Sequence, residues 1–328
     1  MFSILIPNLG FSDVLFDCFK SVCFQKENSH FDYEIIVCDQ SDNEVYEDIV
    51  KKADDSFGGK IKFIHSNIRS LFRARHTLME YSRGDYIVFV DSDDFVADDY
   101  LESIYNDLKS FNFPDILIHH VSPCDYNGTL SEKQSPFPSD IETNVMNYFL
   151  YSFIINSVVM KIFKKRIYEL GNYNIDSSVT NGEDKVFSLP LMKSASTIFV
   201  DSHLDKYFYR QNKESMVHNP NFSDIISTIK FAAPPHDLAP KTPYQKEIFV
   251  TCLFTYFTSS TINLVCNSKI TFENFKQLTK MIDFEIKSNS LNLFHARGTK
   301  NKILFLLLFF KFNRLLHYIL KQRAKKYS

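Results

Sequence analysis

Tryptophan is absent from the 328 residues, and no function attaches to that absence. Other scarcities exclude more. The six cysteines, at positions 18, 23, 38, 124, 252 and 266, make no C-x-x-C and no metal-ligand spacing, which argues against a zinc module or a disulfide framework. Cys38 lies inside the apolar run EIIVCD, where a buried thiol is expected, and a reducing cytoplasm suits the set. The longest unbroken apolar run, Ile303 to Phe310, falls well short of the ~20 residues a spanning helix needs. The opening MFSILIP lacks a basic stretch ahead of its apolar residues and reads as a first strand, not a signal peptide. Glycine is scarce too. The stretch PNLGFSD after that strand holds a single glycine, where a Gly-rich phosphate loop would need several. No internal repeat is visible.

Acid is missing from the end of the chain. After Glu285 there is none, while ten of the 37 bases lie there, so the other 27 share the body with all 39 acids. An acidic body with a basic tail predicts that the tail meets something anionic. The same acidity, with no basic-aromatic groove, argues against nucleic acid.

What is present is an ordinary globular composition, 45% apolar and 23% charged. The first half alternates. Apolar runs at 2–6, 33–38, 61–64, 86–90 and 115–120 read as strands, separated by helices over 11–24, near 43–53, over 70–82 and from Asp98 onward. Continuously apolar strands between helices predict an α/β fold whose mostly parallel sheet is covered on both faces. Ligands in such sheets bind beyond the carboxyl ends of the strands. Three strands deliver polar residues there: Pro7-Asn8, Asp39-Gln40-Ser41-Asp42, and Asp91-Ser92-Asp93-Asp94. Residues 122–140 read as a loop, and the breaker-rich 233–243 precedes a helical C-terminal part.

The run FVDSDDF (89–95) raises its own question, because clustered carboxylates repel unless a cation neutralises them. Asp91 and Asp93 project to one side of an extended chain, and Mg²⁺ or Mn²⁺ prefers oxygen ligands. A capped, solvated turn is the simplest alternative. An EF-hand fails, since Phe95 and Val96 stand where an oxygen ligand and the turn glycine belong. An aspartyl-phosphatase site is disfavoured by Phe95 as well. In NGEDKVF (181–187), Glu183 and Asp184 open an apolar helix, where acid complements the helix dipole and a carboxylate can also act as a general base.

The stretches SILIPNLG…LFDCFKSV, YEIIVCDQSDNE, ARHTLMEYSRGDYIVFVDSDDF, NGEDKVF and YFYRQNKESMVH, in this order, resemble family 2 glycosyltransferases of the GT-A fold over about residues 1–218. The resemblance implies a Rossmann-like GT-A catalytic domain over 1–218, with a nucleotide-sugar half (about 1–120) and an acceptor half (about 121–218). It implies inverting transfer of a sugar from a nucleotide diphosphate, a UDP-sugar, with Mn²⁺ or Mg²⁺. Position by position, Pro7 shapes the nucleotide pocket, Asp39 accepts from the base, and Arg75 lies near the nucleotide. Asp91 contacts ribose or metal, and Ser92 lies between the two donor-site acids. Asp93 is the direct metal ligand, and Asp94 faces the donor sugar or caps the next helix. Asp184 is the base, Glu183 its orienting neighbour, Arg210 or Lys213 meets phosphate, and His218 completes the metal ligands. Departures from the family pattern are Asn8-Leu9-Gly10, Gln40, His76 and Leu78, which bear on donor identity. The setting the resemblance implies is bacterial capsule, O-antigen or lipooligosaccharide assembly, with a glycan or polyprenyl-diphosphate-linked acceptor. A nucleotidyltransferase and a non-catalytic sugar-nucleotide-binding protein are the alternatives.

Beyond a helical extension over 219–298, the segment 299–328 reads as one basic amphipathic helix. Lys311, Arg314, Lys321 and Lys325 fall close to one stripe beside ILFLLLFF. Such a helix lies on an anionic membrane, at the inner face of the cell membrane, or packs on the body or on a second copy.

Overall fold

The computed structural model describes the chain apart from residues 27–29, 132–136, 153, 174–181, 212–221, 224, 227–228, 230–235, 267–270, 297, 310, 312 and 325–328. It divides into two compact units: Met1–Val145 with Asn156–Gln211, and Met146–Ile155 with Asn212–Ser328.

The first unit begins with β1 (Phe2–Asn8), buried along its whole length, and α1 (Leu15–Cys23), whose Leu15, Cys18, Phe19 and Val22 face inward. The pattern repeats through β2 (Tyr33–Asp39), α2 (Asn43–Phe57), β3 (Ile61–His65), α3 (Leu71–Tyr81) and β4 (Tyr86–Phe89). Strands β3, β2, β1 and β4 pair in parallel in that order. Gly84 makes the β1–β4 pairing possible, because a Cβ there would sit 2.5 Å from the Ser3 backbone nitrogen. The chain continues through β5 (Phe95–Val96), α4 (Tyr100–Ser110), β6 (Ile116–His119), β7 (Ser122–Cys124) and α5 (Val145–Tyr151). Then follow β8 (Lys161–Lys164), α6 (Lys165–Leu170), α7 (Glu183–Ser194), β9 (Ile198–Asp201) and β10 (Tyr207–Arg210).

The parallel order ends at β4. Strand β8 inserts beside it, antiparallel to both β4 and β6, so the expected fifth strand lies one place further out than its sequence order suggests. The full order is β3-β2-β1-β4-β8-β6-β9, a mostly parallel sheet. A second, small sheet, β5-β10-β7, holds the residues just after FVDSDD against YFYR.

In the second unit, α8 (Pro243–Cys266) starts on a proline, whose missing N–H costs nothing at a helix start. Helix α9 (Phe272–Ser288) is capped by Thr271, whose hydroxyl accepts from Asn274 N at 3.1 Å. The tail is not the single helix expected. It forms α10 (Gly298–Phe309) and α11 (Asn313–Ala324), both packed against α8. The break falls where Lys311 adopts φ +56°, in the left-handed region a helix does not accommodate, and Asn313 restarts the chain.

Candidate active site

The carboxyl edge of the sheet gathers most of the expected residues. Asn8, at the end of β1, donates through Nδ2 to Asp39 at the end of β2, and Asp39 Oδ1 also accepts from Ser41 N at 2.8 Å. Asp39 is fully buried, so its carboxylate is a fixed acceptor lying directly after Pro7-Asn8 in the sheet register. Gln40, a departure from the family pattern, ties the edge to α3. Its Nε2 donates to Ile68 O and Ser70 O, and its Oε1 accepts from Ser70 N at 3.0 Å. Ser70 caps α3, so Gln40 positions the helix that carries Arg75.

After Val90 the chain turns, with Asp94 N donating to Asp91 O at 3.0 Å. This turn corrects the reading of Asp94. It does not cap α4, whose N-cap is Asp99. Asp94 is fully buried; Oδ2 accepts from the Tyr207 hydroxyl at 2.7 Å and Oδ1 from Arg210 N at 2.8 Å, which locks the acidic turn to β10. Burial, with Asp91 and Asp93 nearby, pushes its carboxyl well above the ordinary range. The Tyr207 hydroxyl also accepts from Asp91 N at 3.1 Å.

The buried guanidinium of Arg75 bridges Asp91 at 3.5 Å, Glu183 at 3.9 Å and, more closely, Asp184. Burial alone would lower its pKa, but the three carboxylates outweigh burial and raise it, so the charge is permanent. The strand end and the helix start therefore meet on one cation. Asp91 rises to about 6, chiefly by burial, opposed by Arg75 and reinforced by Asp184 and Asp93. Glu183 rises to about 7, by burial first and then by Asp184, against Arg75. Gly182 precedes them at φ +82°, a conformation that favours glycine and turns the chain into α7.

Two participants have little signal in the sequence. Lys161, the first residue of β8, is buried, and its Nζ donates to Asn156 O at 3.1 Å and Ser157 O at 2.7 Å. Burial lowers its pKa to about 7, with Asp184 raising it and Arg75 lowering it. A lysine opening the apolar KIF is the only hint in the sequence. His76, a further departure, accepts or donates through Nδ1 at 2.7 Å from the Tyr168 hydroxyl, among Phe72, Tyr173 and Phe187. Burial, then Arg73 and Arg75, lowers it to about 4, so it is a neutral packing group behind Arg75.

Arg210 is anchored within the fold. Its guanidinium pairs with Asp17 at 3.0 Å, donates to Tyr126 O and lies over the Phe95 ring. Ser92 occupies the acidic turn, half-buried. His218 and Lys213 lie outside the described residues.

An open, mostly parallel α/β sheet, with acids at the carboxyl end of β4 facing an acidic helix start, defines a GT-A-type domain. The family model for glycosyl transferase family 2 matches residues 3–171, and the chain belongs to that family. Among curated relatives, it is 25% identical over 229 residues to glycosyltransferase GlyA of Streptococcus pneumoniae, covering 65% of this chain and 31% of that one. It is 25% identical over 225 residues to the Staphylococcus aureus poly(ribitol-phosphate) beta-N-acetylglucosaminyltransferase TarP, covering 66% and 64% respectively. With the Bacillus spizizenii poly(ribitol-phosphate) beta-glucosyltransferase it shares 27% over 239 residues, or 70% of this chain and 36% of that one. The chain thus spans less than two thirds of the length of each of these relatives. The fold is also that of S. aureus TarS residues 1–349 in complex with UDP-GlcNAc, with a TM-score of 0.69 at 16% identity, covering 100% of this chain and 92% of that one.

Proposed function

We propose that the chain is an inverting glycosyltransferase. It moves a hexosyl or N-acetylhexosaminyl group from a UDP-sugar to a hydroxyl of a glycan or lipid-linked oligosaccharide. The observation that carries this reading is the convergence of Asp91 from β4 with Glu183 and Asp184 from α7 on buried Arg75. Relatives whose names specify N-acetylglucosaminyl or glucosyl transfer, and a neighbouring fold solved with UDP-GlcNAc, support the donor class.

Asp184 accepts the proton of the acceptor hydroxyl as its oxygen attacks the anomeric carbon from the face opposite the leaving diphosphate. A partly exposed carboxylate at a helix start is reachable for this, and Arg75 holds its orientation. Glu183 orients the acceptor beside it. Asp39 reads the base behind Pro7, with Ser92 at the turn beside the donor. Arg210, tied to Asp17, shapes the donor side of the same edge.

Asp91 and Asp93 fit a hard divalent cation. They are oxygen donors, and Asp91 Oδ1 is buried without a hydrogen-bond partner among the described residues. Among those residues no three His, Cys, Asp or Glu groups are placed to hold an ion by themselves, so diphosphate oxygens, water or His218 would complete the shell. Bound there, Mn²⁺ or Mg²⁺ would neutralise charge building on the leaving diphosphate.

The setting we propose is bacterial capsule, O-antigen or lipooligosaccharide assembly, with the protein cytoplasmic and peripheral at the inner face of the membrane where lipid-carried acceptors lie. No helix among the described residues is long and apolar enough to cross a membrane.

The test is hydrolysis of UDP-glucose, UDP-galactose and their N-acetylhexosamine counterparts by the purified chain, repeated with Asp184→Asn. The wild type should release UDP from at least one donor. The variant keeps the shape but loses the basic lone pair, so turnover should fall ~10²–10⁴-fold with donor affinity little changed. A variant within a few-fold of wild type would move the base to Glu183. Donor binding without any turnover would favour a non-catalytic sugar-nucleotide-binding protein.

A further inference from the structure

Helices α10 and α11 repeat one surface at an offset of twelve residues. Lys302, Ile303 and Leu306 in the first correspond to Arg314, Leu315 and Tyr318 in the second. Their apolar members are exposed: Ile303 52%, Leu306 40%, Leu315 49% and Tyr318 59%. Lys302, Lys311, Arg314 and Lys321 are exposed with them. The opposite faces repeat as well, Leu304 and Leu308 matching Leu316 and Leu320, all four buried. Both helices pack against α8, so the buried leucines account for that contact and the exposed faces point away from it. Packing on α8 therefore accounts for the four buried leucines but not for Ile303, Leu306, Leu315 and Tyr318, which stand in water beside bases on helices that carry no acid.

We infer that these two exposed faces form a docking surface for an anionic lipid bilayer. The inference rests on the membrane-side reading above and assigns it to particular residues. Charge and polarity favour lipid over a protein partner. Each face mixes large apolar side chains with bases, so the surface can take up acyl chains and anionic headgroups together. Tyr318 has the apolar ring and polar tip suited to the headgroup level. At twelve residues each, the helices are ~18 Å long, too short to cross a ~30 Å hydrocarbon core, and so lie along the interface.

The experiment is vesicle flotation of the full chain with phosphatidylcholine vesicles, alone or mixed with phosphatidylglycerol. One variant replaces the exposed apolar side chains (Ile303→Ser, Leu306→Ser, Leu315→Ser, Tyr318→Ser). A second replaces bases (Lys302→Gln, Arg314→Gln, Lys321→Gln). None of these side chains is buried, so the helical circular dichroism of both should match wild type. The wild type should float with the anionic mixture, less so in high salt, and not with phosphatidylcholine alone. The base variant should bind on the order of a hundredfold more weakly, at roughly fivefold per base, and the apolar variant should stay at the bottom. If wild type floats and both variants float equally well, the inference is overturned while membrane attachment stands on another surface. If wild type does not float, both fall. Should the variants instead dissociate a wild-type dimer seen by light scattering, without any flotation, the face belongs to a second copy and the inference is overturned.

Discussion

Asp91 and Asp93 were legible as site candidates because strand ends of a parallel sheet face the ligand, and Glu183 and Asp184 because acid at a helix start is accessible. Which residue draws Asp91, Glu183 and Asp184 together was not legible. Arg75 and Asp184 are 109 positions apart, and only the packing of α3 beside α7 shows that they meet. Asp94 was misread for a similar reason, since its two partners arrive from β10. The cost of this crowding should appear in pH dependence. The Glu183 carboxyl lies at about 7 against an ordinary 4.5. Below 4.5 both folded and unfolded chains hold the proton. Above about 7 the folded chain must hold an anion that the unfolded chain carries freely, so stability is lost as pH rises through the folded value. Glu183→Gln imitates the protonated form at every pH. It should melt with wild type at pH 4 and by about 2–4 °C higher at pH 8. Equal melting at both pH values would remove the strain assigned to Glu183. If Asp91 and Asp93 hold the metal as proposed, Asp93→Ala should abolish turnover without changing the circular dichroism. EDTA should do the same to wild type, with Mn²⁺ or Mg²⁺ restoring it; full turnover in EDTA would reduce the cluster to a capped turn.

At the scale of elements, β1 to β4 and their helices follow from local pattern, because each strand is built on an apolar run and α1 has one apolar face. The strands after β4 did not follow. Strand β8 is four residues, KIFK, running straight into α6, and β5 is two residues after a turn. Such short runs carry no period, and they become strands only through partners distant in sequence. The consequence is functional: β8 brings Lys161 near Asp184, and β10 fixes the acidic turn. The start of α7 is the element on which the proposed chemistry most depends. Gly182 has φ +82°, so Gly182→Ala forces a side chain into the left-handed region, at a cost of about 1–2 kcal/mol. We expect that loss in urea unfolding. We also expect a larger proportional fall in turnover than in donor binding, because the strain relaxes by moving Glu183 and Asp184. Unaltered stability and turnover would show that the turn tolerates a side chain.

For the whole molecule, the question is whether the basic tail is an appendage or part of a folded unit. Of the placements its composition leaves open, a helix lying apart on a membrane is the one that could be removed cleanly. The second unit argues otherwise, because Leu304, Leu308, Leu316 and Leu320 are buried and α10 and α11 pack against α8. Fully burying a leucine stabilises by about 1.5–3 kcal/mol, so four such side chains contribute an amount comparable with the whole ~5–15 kcal/mol stability of a typical domain. Ending the chain before Gly298 should therefore destabilise the second unit rather than simply release a soluble enzyme. In calorimetry the shortened chain should show an added low-temperature transition, and it should bind a hydrophobic dye that the full chain does not. The surface variants of α10 and α11 keep the buried leucines and should show neither change, which makes them the cleaner probes of membrane contact. A shortened chain that melts like the full one, and binds no more dye, would show that the leucine contacts with α8 contribute little. The tail would then be the separable helix that its composition leaves open.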